Sequence, residues 1–343
     1  MYRFFNDYSE GAHPRILQAL AEHNLEQTSG YGTDSICQQT ADLIRNLCKS
    51  PEADVHFLVG GTQTNLLLIE SLLHPYEAVI AAETGHINLH ETGAIESTGH
   101  KVCTVPAPDG KLTPALIEMV LNSHDGSEHM VLPKLVYISN TTELGTVYRK
   151  AELNALHRFC QEHALYLFLD GARLGSALTA EGQDLSLPDL AALTDAFSLG
   201  GTKNGALFGE TLVINGPVPR THFRWHMKQR GALLAKGRLL GLQFLTLLKD
   251  GLYWEMAQHA NQQAQHLRKG LQKMGLSFLV DSPSNQQFPL LPVAMAEQLE
   301  QLGYQFAVQP QPDARYTCAR FVTSWATPEE AVNQLLRDLD RCL

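Results

Sequence analysis

Three short segments combine residues that can do chemistry with small residues that let a ligand approach. In Phe197–Gly205, Lys203 follows an apolar run and stands among Gly200, Gly201 and Gly205. A lysine in such surroundings is poorly solvated. Its pKa falls, and the neutral amine can attack a carbonyl. In Phe168–Arg173, Asp170 ends an apolar run and an arginine follows three residues later. A carboxylate at the carboxyl end of a parallel strand can hold a protonated ring nitrogen; it can also cap the next helix. In Val59–Asn65, Gly60 and Gly61 precede Thr62 and a helical pattern. Unpaired N–H groups at such a strand–glycine–helix junction bind anions, and a tight turn capped by Thr62 is the alternative. The loop has neither the Gly-Lys-Ser/Thr of a Walker A motif nor a G-x-G-x-x-G. His86 and His90 are four apart and Glu91 follows. That spacing could hold a metal, but it is not H-E-x-x-H and no third ligand accompanies it. His90 therefore reads as solvated or structural.

The elements that must position these groups alternate. Seven β-branched or aliphatic runs precede residue 220: Val55–Val59, Ala78–Ala82, Lys101–Val105, Leu135–Ile138, Tyr166–Leu169, Ala196–Leu199 and Leu212–Ile214. Helical spacing fills Thr62–Leu73, Pro114–Leu121 and Ala151–His163. Strands alternating with helices predict an α/β fold with a mostly parallel, buried sheet. After Pro219 the pattern changes. Phe223–Lys249 reads as one long or broken helix, with Gly231, Gly237 and Gly241 as interruptions. A helix over Trp254–Met274, short strands near Ser277–Val280, Gln286–Leu290 and Arg320–Thr323, and a last helix over Pro328–Cys342 predict a smaller α+β unit. The expected division is 1–240 and 241–343.

Composition narrows the class. The chain has 343 residues, 44% hydrophobic and 18% charged, which suits a packed globular protein and not a disordered one. Its net charge of −10 argues against nucleic acid and anionic lipid as partners. Six scattered cysteines form no C-x-x-C pair and read as reduced thiols. The first residues carry no apolar signal-like stretch, and no run approaches the ~20 apolar residues that span a bilayer. A cytoplasmic enzyme is the expectation.

Taken together, the order and spacing of these segments resemble the fold-type-I pyridoxal-phosphate enzymes, and within them the low-specificity threonine aldolases of the β-eliminating lyase family. The matching segments are Tyr31–Asp34, Gly60–Asn65, Glu83–Asn88, Glu143–Tyr148, Leu169–Leu174, Leu199–Gly205 and Arg320–Thr323. The Asp-Gly-Ala-Arg and Gly-Gly-Thr-Lys-Asn-Gly stretches are the most specific. The resemblance implies that Gly61 and Thr62 bind the coenzyme phosphate and that His86 stacks on its ring. It implies that Asp170 pairs with the ring nitrogen, that Arg173 approaches the phenolic oxygen and that Lys203 forms the Schiff base. Arg320 matches the arginine that holds the substrate α-carboxylate, and Asn6 matches a position, usually serine, near that carboxylate. Lys228, in a basic and apolar segment, matches a helix at a subunit interface and would reach a neighbouring chain's phosphate in a dimer of dimers.

The activity so implied is cleavage of the Cα–Cβ bond of threonine or allo-threonine to glycine and an aldehyde. β-Elimination or racemisation on the same scaffold is the alternative. Some family members carry histidine where this chain has Thr142, so the group that takes the β-hydroxyl proton is left open among His86, Glu91 and an ordered water.

Overall fold

The computed structural model describes residues 2–215, 222–311 and 313–342. Helices α1 (Pro14–Glu22) and α2 (Ser35–Cys48) come first. Tyr31 and Gly32 both adopt left-handed backbone (φ 61° and 73°), and the Asp34 carboxylate accepts from Cys37 N–H at 2.9 Å, so this turn ends on a helix cap. There follow β1 (Asp54–Leu58), α3 (Gly61–Leu72), β2 (Glu77–Ala82), α4 (His86–Leu89), β3 (Val102–Val105), α5 (Pro114–Asn122), β4 (Leu132–Ser139), α6 (Lys150–Glu162), β5 (Tyr166–Asp170), α7 (Leu174–Leu178), α8 (Leu187–Leu193), β6 (Ala196–Gly200) and β7 (Glu210–Ile214). The strands form one sheet in the order β1-β7-β6-β5-β4-β2-β3. β7 runs antiparallel to both its neighbours, and the other pairings are parallel. All seven expected strands are present, within a few residues of the expected bounds.

Side chains alternate across this sheet, and both faces are dry. Val79, Leu135, Phe168 and Leu212 pack against Leu67, Leu68 and Leu72 of α3 on one face. Ile80, Val136, Leu169, Phe197 and Val213 pack on the other with Leu153 and Leu156 of α6. Burial on both faces explains the nearly continuous apolar runs. Parallel strands deliver their carboxyl ends to one edge, which is where ligands bind in open α/β sheets.

The Phe223–Lys249 pattern is broken into α9 (Phe223–Gln229) and α10 (Arg238–Lys249). Gly231 takes φ 70° in the gap. α11 (Leu252–Lys273) leads to β8 (Gln286–Gln287), β9 (Leu290–Pro292), α12 (Val293–Gln301), β10 (Ala307–Gln309), β11 (Tyr316–Val322) and α13 (Glu329–Asp340). The strand expected near Ser277–Val280 is a single bridge, Phe278 to Pro289. β10 and α12 carried too weak a pattern to be expected. Phe4 joins the core of this second unit beside Leu271, Phe321 and Val332, so the start of the chain packs with its end. Among the described residues no helix is long and apolar enough to cross a membrane.

Candidate active site

At the carboxyl edge of the large sheet lies a cavity of about 570 Å³. Gly61, Thr62, His86, Asp170, Arg173, Lys203 and Arg320 all line it. They come from both units: β11, of the smaller sheet, contributes Arg320 from Arg320↔Ala307 pairing with β10. The sequence is thus brought to one place from seven of the nine positions expected there. Asn6 and Lys228 are the other two. Asn6 Oδ1 accepts from Tyr8 N–H at 2.9 Å and from Ser9 Oγ at 3.0 Å, an Asx turn, and it is the following residues that face inward. Lys228 is exposed on α9, with Nζ 4.7 Å from the centre of the Tyr31 ring.

Asp170 ends β5, and its carboxylate is buried. Tyr137 OH donates to Oδ2 at 2.7 Å, Asn65 Nδ2 to Oδ2 at 2.9 Å and Ala172 N–H to Oδ1 at 2.9 Å. Burial pushes the Asp170 carboxyl up, but the Tyr137 hydroxyl, His86, the Asn65 amide and the Ala172 N–H together hold it below its ordinary value. It is therefore an anion at neutral pH. Asn65 also donates to Glu91 Oε1 at 2.7 Å, and His86 Nδ1 lies 2.7 Å from the same oxygen. His86 N–H donates to Glu143 Oε1 at 2.9 Å. These bonds fix His86 from two sides at the first residue of α4. His90, one turn on, also lines the cavity, with its ring centre 5.6 Å from that of His86. Burial and the charges of His86, Arg320 and Lys203 depress its pKa, which keeps the ring neutral.

Arg173 is met by a carboxylate that the motifs did not indicate. Asp7 accepts from Arg173 Nε at 2.7 Å and from Nη2 at 3.0 Å, and also from Asn285 Nδ2 at 2.9 Å. Burial opposes ionisation of Asp7, but Arg173, Lys203 and Asn285 carry its carboxyl below the ordinary value. Lys203 is held the other way: burial and Arg173 lower its pKa further than Asp7, Asp170 and Glu210 raise it. Arg320 is also depressed, by burial and by Arg173. Its Nε is buried with no hydrogen-bond partner among the described residues. A cation left unpaired beside another cation is a seat for an anion.

Above the first turn of α3, an added Cβ at Gly60 or Gly61 would meet no atom within 4 Å. The leading N–H groups of this helix have no intrahelical partner, so they face open space. Thr142, by contrast, is buried and turned to Thr146, Oγ1 to Oγ1 at 2.7 Å.

The model of the beta-eliminating lyase family matches residues 7–291. The chain belongs to this family. It is 33% identical to a low specificity L-threonine aldolase of Pseudomonas aeruginosa, over 98% of this chain and 96% of the relative. A low specificity L-threonine aldolase of a Pseudomonas sp. is 34% identical over the same shares. The solved structure of Leishmania major threonine aldolase superposes with a TM-score of 0.97 at 50% identity, covering 99% of each chain. An aspartate aminotransferase of Thermus thermophilus, at 20% identity and a TM-score of 0.73, shares the fold. The fold is that of the fold-type-I pyridoxal-phosphate enzymes. The donor set of the beta-eliminating lyase cavity fits that coenzyme: a buried amine for an aldehyde, a buried anion for a protonated ring nitrogen, and free N–H groups at an open helix end for a phosphate.

Proposed function

We propose that this chain is a pyridoxal-phosphate-dependent carbon–carbon lyase that splits L-threonine and L-allo-threonine into glycine and an aldehyde. When bound, the coenzyme supplies an aldehyde for amines and a ring that takes up the electron pair left on Cα. Lys203, its pKa lowered by burial and Arg173, is the amine that would carry the coenzyme between turnovers. Gly61 and Thr62 would hold the phosphate, and the Asp170 anion would keep the ring nitrogen protonated. His86, pinned by Glu91 and Glu143, would pack against the ring. Arg173, its charge balanced by Asp7, would offer N–H donors toward the phenolic oxygen.

Arg320 would take the substrate carboxylate through its fork of N–H groups. His90 is the group we assign to accept the β-hydroxyl proton, since its ring lines the same cavity and is neutral. One feature leaves two of the earlier candidates less suited: His86 Nδ1 and Glu91 Oε1 are bound to one another at 2.7 Å. Lys203 would then return a proton to Cα, giving glycine. By the same resemblance Lys228 would face a neighbouring chain's phosphate within a homotetramer, Asn6 would support the carboxylate end, and the enzyme would work in the cytoplasm.

The observation that carries this reading is the unpartnered Arg320 guanidinium in one cavity with Lys203 and Asp170. Arg320 comes from the smaller sheet and Asp170 and Lys203 from the larger one, so a carboxylate could be held beside a coenzyme in the same cavity. Losing a charged partner of a buried carboxylate costs on the order of 2–5 kcal/mol. At ~1.4 kcal/mol per tenfold, Arg320→Ala should lower kcat/KM for threonine by roughly 30-fold or more while coenzyme content and its visible absorption stay unchanged. Arg320→Lys should restore part of the loss. A folded Arg320→Ala enzyme with wild-type kcat/KM would remove the assignment.

A further inference from the structure

Between Phe4 and His13 the chain meets the surroundings of all three lysine and arginine residues that line the cavity. Phe4 O accepts from Val322 N–H at 2.8 Å, two residues beyond Arg320 on β11. His13 N–H donates to Gly205 O at 2.9 Å, two residues beyond Lys203. Between these two anchors, Asp7 takes hold of Arg173 itself.

The grip is a side-on fork. Asp7 is 1% exposed. Its Oδ2 accepts from Arg173 Nε at 2.7 Å and its Oδ1 from Nη2 at 3.0 Å. Two parallel bonds to a flat guanidinium fix its plane as well as its position. Nη1 is bound by no described residue, and Arg173 lines the cavity, so Nη1 is the nitrogen left for a ligand. Asp7 is itself anchored. Asn285 Nδ2 donates to Asp7 Oδ2 at 2.9 Å and to Thr323 O at 2.8 Å, and Thr323 N–H donates to Asn285 O at 3.0 Å. The carboxylate that grips an arginine of the larger unit is therefore seated on the exit of β11, the strand that carries Arg320.

The charged and titratable groups acting on this pair are Lys203 after β6, Arg320 on β11, Glu143 after β4 and Tyr8 beside Asp7. Lys203 feels both partners with opposite sign: Arg173 disfavours its proton and Asp7 favours it. While the fork is closed the two influences offset one another.

We propose that Asp7 is a positioning residue of the coenzyme site: it clamps Arg173 so that Nη1 faces the cavity, and it offsets the guanidinium charge that Lys203 would otherwise feel. Asp7 acts through Arg173, and the proposal rests on the assignment of Lys203 as the coenzyme-bearing amine.

The test titrates the visible coenzyme band of holoenzyme against pH in the wild type, Asp7→Asn, Asp7→Glu, Arg173→Gln and the double variant Asp7→Asn with Arg173→Gln. In Asp7→Asn the amide oxygen still accepts an N–H, so the guanidinium keeps its place while its charge is no longer offset. An unbalanced cation disfavours a proton on Lys203 Nζ, so the midpoint should fall by about one pH unit, the lower end of what a nearby charge does. Asp7→Glu should recover part of that fall. Without Arg173, a buried Asp7 loses the largest influence that holds it ionised, so adding Asp7→Asn to Arg173→Gln should barely move the midpoint. An Asp7→Asn midpoint equal to wild type overturns the proposal. A full-sized fall when Asp7→Asn is added to Arg173→Gln also overturns it, because Asp7 would then act on Lys203 directly. The double variant removes both charges of a buried pair together and should fold, so this comparison decides even where Asp7→Asn alone does not. Loss of coenzyme and of melting temperature in Asp7→Asn and Asp7→Glu alike, with both kept in the double variant, makes the pair a structural bridge and overturns the proposal too. Borohydride that fixes the coenzyme on a residue other than Lys203 would instead fail the assignment beneath it, which separates the two claims.

Discussion

At the scale of single residues, the cavity divides its charges by how each is balanced. Arg173 is neutralised by Asp7, Asp170 is held by neutral donors and His86, and Arg320 has no ion pair among the described residues and an unpartnered Nε. Burial, with the charges of His86, Arg320 and Lys203, holds the His90 pKa below the usual histidine value and favours its neutral form. The sign follows directly. A base must be unprotonated to act, so activity should fall only when the pH drops through this depressed pKa. His90→Asn should lower kcat by about 100-fold and remove the acid limb from the pH profile of kcat, while coenzyme absorption is retained; an unchanged acid limb would move the base elsewhere. Lys203, Asp170, Arg173, His86 and Arg320 were legible in the sequence because each sits in a short contiguous motif. Asp7, Tyr137, Glu210 and His90 were not. Asp7 meets Arg173 across 166 positions, a pairing no local pattern reveals. Tyr137 is hidden inside an apolar strand, and Glu210 looks like an ordinary strand end.

At the scale of elements, the site depends on how closely β5 and β6 leave the sheet. Gly200 N–H donates to Gly171 O at 3.0 Å, and Gly171 N–H donates to Ser198 Oγ at 2.8 Å. A Cβ at Gly171 would fall 1.9 Å from Ser198 O, and one at Gly200 would fall 2.4 Å from Ala172 O. These contacts are with backbone, so they cannot be relieved by a side-chain rotation. Gly171→Ala should cost about 1–3 kcal/mol of stability, the range for overpacking, and should weaken coenzyme binding by moving Asp170 away from Lys203. Urea unfolding and titration of the visible coenzyme band would measure both; a variant with wild-type values in each would contradict the interlocked arrangement. The strands of the large sheet were readable because burial on both faces writes apolar runs. The break between α9 and α10 was readable only as an option, since glycines mark a possible interruption without fixing it. β10 and α12 were missed because short, half-exposed elements carry little periodicity.

At the scale of the whole molecule, the first residues close onto the last: Phe4 packs with the C-terminal unit, Asp7 pairs with Arg173 of the cavity wall, and Tyr8 lines the cavity. The proposed division near residue 240 therefore describes the order of the chain better than its packing. Outside, Leu25, Tyr31 and Trp225 are exposed at 91%, 46% and 70%, and Tyr31 lies under Lys228. Tyr31 and Trp225, which shares α9 with Lys228, put exposed aromatic rings beside a cation, and this fits the proposed subunit contact. Sedimentation at assay concentration should find a dimer or larger species, and a fully active monomer would refute it. The most direct test of the central claim is the product formed from threonine. Purified protein loaded with pyridoxal phosphate should convert L-threonine and L-allo-threonine to glycine and acetaldehyde in equal amounts, and protein stripped of coenzyme should not. Release of a 2-oxo acid and ammonia, or exchange of enantiomers without glycine, would contradict the aldolase assignment and return the alternative reactions of this scaffold.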